Sequence, residues 1–469
     1  MSRSDRQGRR RRDACGGAAL ACLASALLYG CAPVAPMRGG PVAGAITVFG
    51  HPGGGVSGRS GALDRLGPGG PDSAAWLVPG STDPATRRIG TIALPASRES
   101  VVVLVYGDNR PGLRLMTTPW GLSAVWRSLP PNSLDRWLSI LIHTPIALVQ
   151  GVIPTLDGFQ DAASVLVTHR FTGGNEKTVL RSLEQSLPAD LVVNTGDVVE
   201  NGSRGRQWEA FAARHAALRS RSPFIAAVGN HERSYSSVAR GNWEAALGPP
   251  PSAERYWYSI DLPDSLARFV FLDSNVLCDP LHRYPDSLEQ ELADEELAWA
   301  DSALSAPARY KFLVFHHPLI TAGHHFGDWR EDDARPVELC RRARLLGICR
   351  RRGITAVLAG HEHLYQRAYV TGPDGVAGFW QITTGGGGAP LHHVAGHDRR
   401  GALAQTLPDG SKVVYLSREQ SVYHYCRMVL RRRPRPGEPA VLLYVTEVPK
   451  RGRTSLIDLV SLAEPWENH

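Results

Sequence analysis

Five apolar, strand-like runs in this chain each end in a short polar motif: Gly107-Asp108-Asn109-Arg110, Gly196-Asp197, Gly229-Asn230-His231-Glu232, His316-His317-Pro318 and Gly360-His361-Glu362-His363. In open α/β sheets the carboxyl ends of the strands share one crevice, so this arrangement calls for a fold that gathers five strand ends. Acidic, amide and imidazole side chains together suit a pair of cations, which can activate water and neutralise a phosphoryl group. Histidines satisfied in turns explain any one of the three histidine-bearing motifs but not the whole set in order.

Between the motifs, strands and helices alternate. Val101–Val105 is a β-branched run without polar alternation, as expected of a strand buried on both faces. Helices are expected at Glu176–Leu187, Arg206–Leu218, Ser287–Leu304 and Val337–Arg351, and strands at Leu191–Val193, Phe224–Val228, Tyr256–Ile260, Arg268–Leu272, Phe312–Phe315 and Ile354–Leu358. Phe379–Thr383, Val422–Leu430, Val441–Val445 and Leu456–Val460 read as strands without helices between them. Parallel β/α units followed by added strands predict two sheets packed face to face with helices outside.

The N-terminal third is organised differently. Arg3–Arg12 is a basic segment, Ala14–Tyr29 a short apolar one, and Leu28-Tyr29-Gly30-Cys31 resembles a bacterial lipoprotein cleavage box with Cys31 as the lipidated residue. An ordinary signal peptide or an anchor helix is the plainer alternative, and the arginines also admit a twin-arginine route. The expectation is a signal peptide over 1–30 and an exported protein, either a cell-envelope lipoprotein facing the periplasm or a secreted one. A Gly/Pro-rich tether follows over 31–88, with order beginning near Ile89. Four of the seven net positive charges fall in the first thirty residues, so general charge gives no reason to expect a nucleic-acid partner. Past Cys31 four cysteines remain. Cys278 with Cys340 could bridge two loops in an oxidising compartment; buried free thiols are the alternative.

The most specific segments, Gly229–Glu232, Gly360–Arg367 and Gly385–Leu391, resemble the calcineurin-like metallophosphoesterases, within them the purple acid phosphatase branch. The resemblance runs from about Val101 to about Leu391. It implies a four-layer αββα sandwich of two mixed sheets and a dinuclear metal centre (iron, zinc, manganese or magnesium) whose bridging hydroxide attacks a phosphoester. Carried over by position, Asp108 binds the first metal, Asp197 bridges both, Asn230, His316 and His361 bind the second, and His363 returns to the first. His231 is then the general acid, His317 a supporting residue, and His324 and His325 line the substrate mouth, unless a solvated loop explains those two.

Two positions depart from the family. The third residue of the opening Asp-x-His is Arg110, and the Tyr that purple acid phosphatases place three residues after the bridging Asp is Glu200. Glu200 or His169 is the candidate replacement ligand. Arg110 either clamps a phosphate oxygen or pairs with a site carboxylate.

The segment 111–165 is an insertion holding Trp120, Trp126 and Trp137, read as a cap over the sheet or as a surface lying in a membrane interface. The resulting expectation is a metal-dependent phosphomonoesterase. A phosphodiesterase acting on nucleotides or lipid headgroups, and a degenerate phosphate- or metal-binding protein, are the alternatives.

Overall fold

The computed structural model describes residues 77–79, 87–110 and 173–464, apart from 96, 234–236, 248–254, 279–285, 324, 330–335, 337–339, 374–377, 393–403, 408 and 416–419. The leader, Cys31, the insertion at 111–165, His169 and His324 lie outside the described residues.

Alternation of side chains across each strand builds the layers. In β3 (Ser100–Tyr106), Val101, Val103 and Val105 face one core, while Leu104 and Tyr106 face another. Strand β3 pairs in parallel with β4 (Leu191–Asn194), which pairs in parallel with β5 (Phe224–Ala226). On its other edge β3 meets β14 (His424–Arg431) antiparallel, followed by β15 (Val441–Glu447) and β16 (Ser455–Ser461). These six strands form one mixed sheet.

The second mixed sheet has ten strands in the order β1-β2-β6-β7-β8-β9-β11-β10-β13-β12. They are β1 (Leu77–Pro79), β2 (Arg88–Ile92), β6 (Tyr258–Asp261), β7 (Ala267–Phe271), β8 (Tyr310–Val314), β9 (Ala356–Ala359), β10 (Tyr365–Thr371), β11 (Gly378–Thr384), β12 (Ala404–Thr406) and β13 (Lys412–Tyr415). Strands β7, β8, β9 and β11 run parallel, as βα units require.

The inter-sheet core joins Val101, Val103, Val105 and Met428 of the first sheet to Phe269, Phe312, Val314 and Trp380 of the second. Outside the second sheet, α6 (Asp286–Ser305) and α7 (Arg341–Arg352) bury Leu292, Leu297, Leu345 and Leu346 against Val270, Leu313 and Val357. Outside the first, α1 (Gly173–Gln185) and α2 (Gly205–Arg214) bury Val179, Leu183, Trp208 and Phe211 against Leu104 and Phe224. Helix, sheet, sheet, helix is the expected four-layer sandwich. The remaining α-helices among the described residues are α3 (Ala216–Arg219), α4 (Ser237–Leu247) and α5 (Ser274–Leu277).

Some expectations are corrected. Leu77–Pro79 and Arg88 pair as strand residues within the stretch read as tether. The helix expected over Arg206–Leu218 breaks at His215, between α2 and α3. The bridge option for Cys278 and Cys340 is not realised: both are buried free thiols, Cys278 donating to the Ser274 carbonyl (3.2 Å) and Cys340 capping α7. No helix among the described residues is long and apolar enough to cross a membrane.

Candidate metal centre

All five motifs sit just past the carboxyl ends of central strands: Asp108 after β3, Asp197 after β4, Asn230 after β5, His316 after β8 and His361 after β9. The chain turns sharply there, and Asp108 (φ 55°), Asp197 (φ 59°) and His361 (φ 69°) all hold left-handed backbone. Non-glycine residues in that region cost about 1–3 kcal/mol each and cluster at functional sites. The turns also need close approaches: a Cβ on Gly229 would lie 2.2 Å from Asp197 Oδ1.

Hydrogen bonds on one ring nitrogen decide what the other offers. His316 Nδ1 lies 3.0 Å from the Thr195 carbonyl and His363 Nδ1 2.6 Å from the Pro390 carbonyl. A carbonyl only accepts, so both Nδ1 atoms carry the proton and both Nε2 lone pairs face the site. His316 Nε2 then has three neighbours: Asn230 Oδ1 at 3.0 Å, His361 Nδ1 at 3.2 Å and Asp197 Oδ1 at 3.3 Å. Such a knot of electron pairs, fully buried at His316, needs a cation or a proton at its centre. Two donors about 2.1 Å from one ion lie about 3.0–3.4 Å apart, which matches this spacing. Without a metal, His316 takes the proton: burial pulls its pKa down, but the Asp197 carboxylate outweighs burial and raises it to about 9.

Asp108 points to the neighbouring position. Its Oδ2 accepts the His361 backbone N–H (2.9 Å), while Oδ1 is buried with no hydrogen-bond partner among the described residues, 3.4 Å from His363 Nε2. Asp108, Asp197 and His316 each offer a ligand atom within 4.8 Å of the others. The donor set therefore fits metal ions. Asp197 lies between the two groups: burial raises its pKa, but His316, His231 and Arg110 together hold it well below the carboxylate range.

Arg110 donates through Nε to Asp197 Oδ2 (3.1 Å) and through Nη1 to Glu200 Oε2. Of its two sequence readings, the pairing with site carboxylates is the one present, and Glu200, the candidate replacement ligand, spends an oxygen on that pair. His231 is 22% exposed; its Nδ1–H donates to the Glu200 carbonyl (2.6 Å) and its Nε2 stands 3.8 Å from Asp197 Oδ2. Burial, then Arg110, lower its pKa.

Glu232 builds the turn beneath: its carboxylate accepts from the backbone N–H groups of Asp197 (2.8 Å), Gly229 (2.9 Å) and Val199 (3.0 Å). Glu362 does likewise on the other side, accepting from Thr321 Oγ1 (3.1 Å) and His325 N (2.5 Å). His317 is buried, its Nδ1 2.9 Å from Ser274 Oγ, and Ser274 opens α5 under the Asp273 cap. His325 packs at a tilt against His361 with centroids 3.9 Å apart, and His392 stacks on His363 at 4.0 Å.

The structure thus brings together Asp108, Arg110, Asp197, Glu200, Asn230, His231, His316, His317, His325, His361 and His363. Sequence reasoning missed Asp328, whose Oδ2 lies 3.0 Å from His361 Nε2, and His392. Neither stands in a motif after an apolar run; only the folded loops deliver them.

Residues 168–365 match the calcineurin-like phosphoesterase family. The match begins downstream of Asp108, whose place is set by the geometry above. Among curated relatives, a "probable cyclic nucleotide phosphodiesterase" of Rhodococcus erythropolis is 29% identical over 187 residues, 39% of this chain and 54% of that one. A "nucleotide pyrophosphatase/phosphodiesterase" of Hordeum vulgare is 24% identical, over 41% of this chain and 53% of its own. A "probable inactive purple acid phosphatase" of Arabidopsis thaliana is 22% identical, over 41% and 32%. The chain spans about half the length of these relatives or less. Among solved structures, a purple acid phosphatase from yellow lupin seeds aligns at TM-score 0.43 and 15% identity, covering 77% of this chain and 53% of that one.

Proposed function

We propose that this chain is a metal-dependent phosphoester hydrolase with a dinuclear centre, and that phosphomonoesters are its first substrates. The convergence of His316 Nε2, Asn230 Oδ1, His361 Nδ1 and Asp197 Oδ1 within 3.0–3.3 Å of His316, beside the unpartnered Asp108 Oδ1, carries the reading.

Asp108, Asp197 and His363 would hold the first metal; Asp197, Asn230, His316 and His361 would hold the second. Metal bound there supplies an acidified water and neutralises phosphoryl oxygens. The chain's own part is positioning and proton delivery. His231, locked by its Nδ1–H to the Glu200 carbonyl, keeps Nε2 at the partly exposed rim and hands a proton to the departing oxygen. Arg110 uses two of its five N–H donors on Asp197 and Glu200, and the others are available to a phosphoryl oxygen.

Phosphodiester substrates are the second reading, motivated by the names of the Rhodococcus and barley relatives. The inactive-phosphatase name of the Arabidopsis relative motivates the third, binding without turnover. Chromogenic mono- and diesters assayed side by side decide among them: faster monoester turnover supports the proposal, faster diester turnover replaces it, and none on either favours binding. From Arg3–Arg12, the apolar Ala14–Tyr29 and Cys31 we further infer an exported, lipid-anchored protein.

A further inference from the structure

Beside the centre lies a second group of ligand-type atoms that the proposed reaction does not use. His317, Asp328 and His361 each offer one within 4.8 Å of the others. His361 has a nitrogen for each group: Nδ1 is 3.2 Å from His316 Nε2, and Nε2 is 3.0 Å from Asp328 Oδ2. A carboxylate that merely orients a metal-binding histidine would explain Asp328. It leaves His317 unexplained. That ring is fully buried, its Nδ1 is taken by Ser274 Oγ, and its Nε2 has no hydrogen-bond partner among the described residues, with the His361 ring 4.3 Å away. An orphaned buried nitrogen is destabilising, and coordination removes that cost. His325 closes the group from the solvent side, its Nδ1 3.5 Å from Asp328 Oδ2. Asp328 is 16% exposed and His325 26%, so the group has a route to solvent.

We propose that His317, Asp328 and His361 form an additional zinc-type site, with His325 as its outer ligand, sharing His361 with the catalytic centre. Imidazoles plus one carboxylate are the donors of tetrahedral zinc. The site ties the 321–329 loop to the centre.

The test uses full-length protein and zinc alone, with metal content read by elemental analysis after dialysis. The double variant Asp197→Asn, His316→Asn disables the catalytic centre and is predicted to retain one zinc per chain, lost when Asp328→Asn is added. A double variant that retains no zinc overturns the proposal. So does a retained zinc that survives Asp328→Asn, since it then sits on the remaining central ligands. So does Asp328→Asn in the native chain if it weakens the central metal without removing an equivalent, which makes Asp328 an orienting residue only. If Asp328→Asn fails to fold by circular dichroism, His317→Gln takes its place with the same outcomes. No readout depends on phosphoester turnover, so failure here leaves the proposed function untouched.

Discussion

His231 and Asp197 separate chemistry from architecture at the scale of single residues. In the proposed reaction His231 contributes a proton and no ligand atom, so His231→Ala is expected to lower kcat about 10²–10⁴-fold while metal content stays at the native value. Parallel steady-state kinetics and elemental analysis check this; metal loss in step with activity would make His231 a ligand instead. Gly229 is a different case, since any Cβ there meets Asp197 Oδ1 at 2.2 Å and the Asp197 amide nitrogen at 2.5 Å. Gly229→Ala is expected to destabilise the fold by about 1–3 kcal/mol, read as a lowered urea midpoint. The candidate ligand residues were legible in the sequence because their motifs follow apolar runs and carry a glycine or a second histidine. Arg110 was legible as a departure but not in its role, because its two readings differ only in which oxygens lie within reach. Asp328 was silent: a lone aspartate in a loop has no periodicity, and its meaning comes from the His361 ring 3.0 Å away.

Elements show the same division. Strands buried on both faces, such as β3 and β8, announce themselves by unbroken apolar runs, and their ends were expected within a few residues. Strand β10 was not, because Tyr365–Thr371 mixes Gln366 and Arg367 with aromatics directly after a ligand motif, and its strand character comes from pairing with β11 and β13. The break between α2 and α3 was also invisible. It falls at His215, whose ring packs 4.3 Å from Phe211 and stacks on Tyr106 at 6.4 Å. Burial, reinforced by Arg214, lowers His215 to about 3, and burial lowers His424 on β14 to about 4. Both depart from an ordinary value of 6.5, so the unfolded chain takes up protons that the folded one refuses as pH falls below it. Their contribution to stability is therefore intact above pH 6.5 and shrinks from there toward pH 3–4, by up to about 1.4 kcal/mol per pH unit for each. Urea midpoints at pH 7.5 and pH 5 are expected to fall on acidification, and to fall less in His215→Gln than in the native chain. An equal fall in both would contradict the assignment.

For the whole molecule, the sequence conveyed the two-sheet sandwich but not its strand order. The insertion of β11 between β9 and β10 and the edge pair β1–β2 depend on long-range pairing with no local signal. The proposed anchoring belongs to this scale as well: Cys31→Ser is expected to shift the protein from the membrane fraction to the soluble fraction without changing its turnover. Persistence in the membrane fraction would favour an uncleaved helix or the 111–165 segment as the attachment. The central claim is that these strand ends assemble a metal-dependent hydrolytic site. The most direct test is hydrolysis of a chromogenic phosphomonoester and a phosphodiester by metal-loaded protein and by its Asp197→Asn variant, with metal content measured on both. Metal-dependent turnover by the native chain that vanishes with Asp197 is the predicted result. Full metal loading with no turnover of either ester would contradict it.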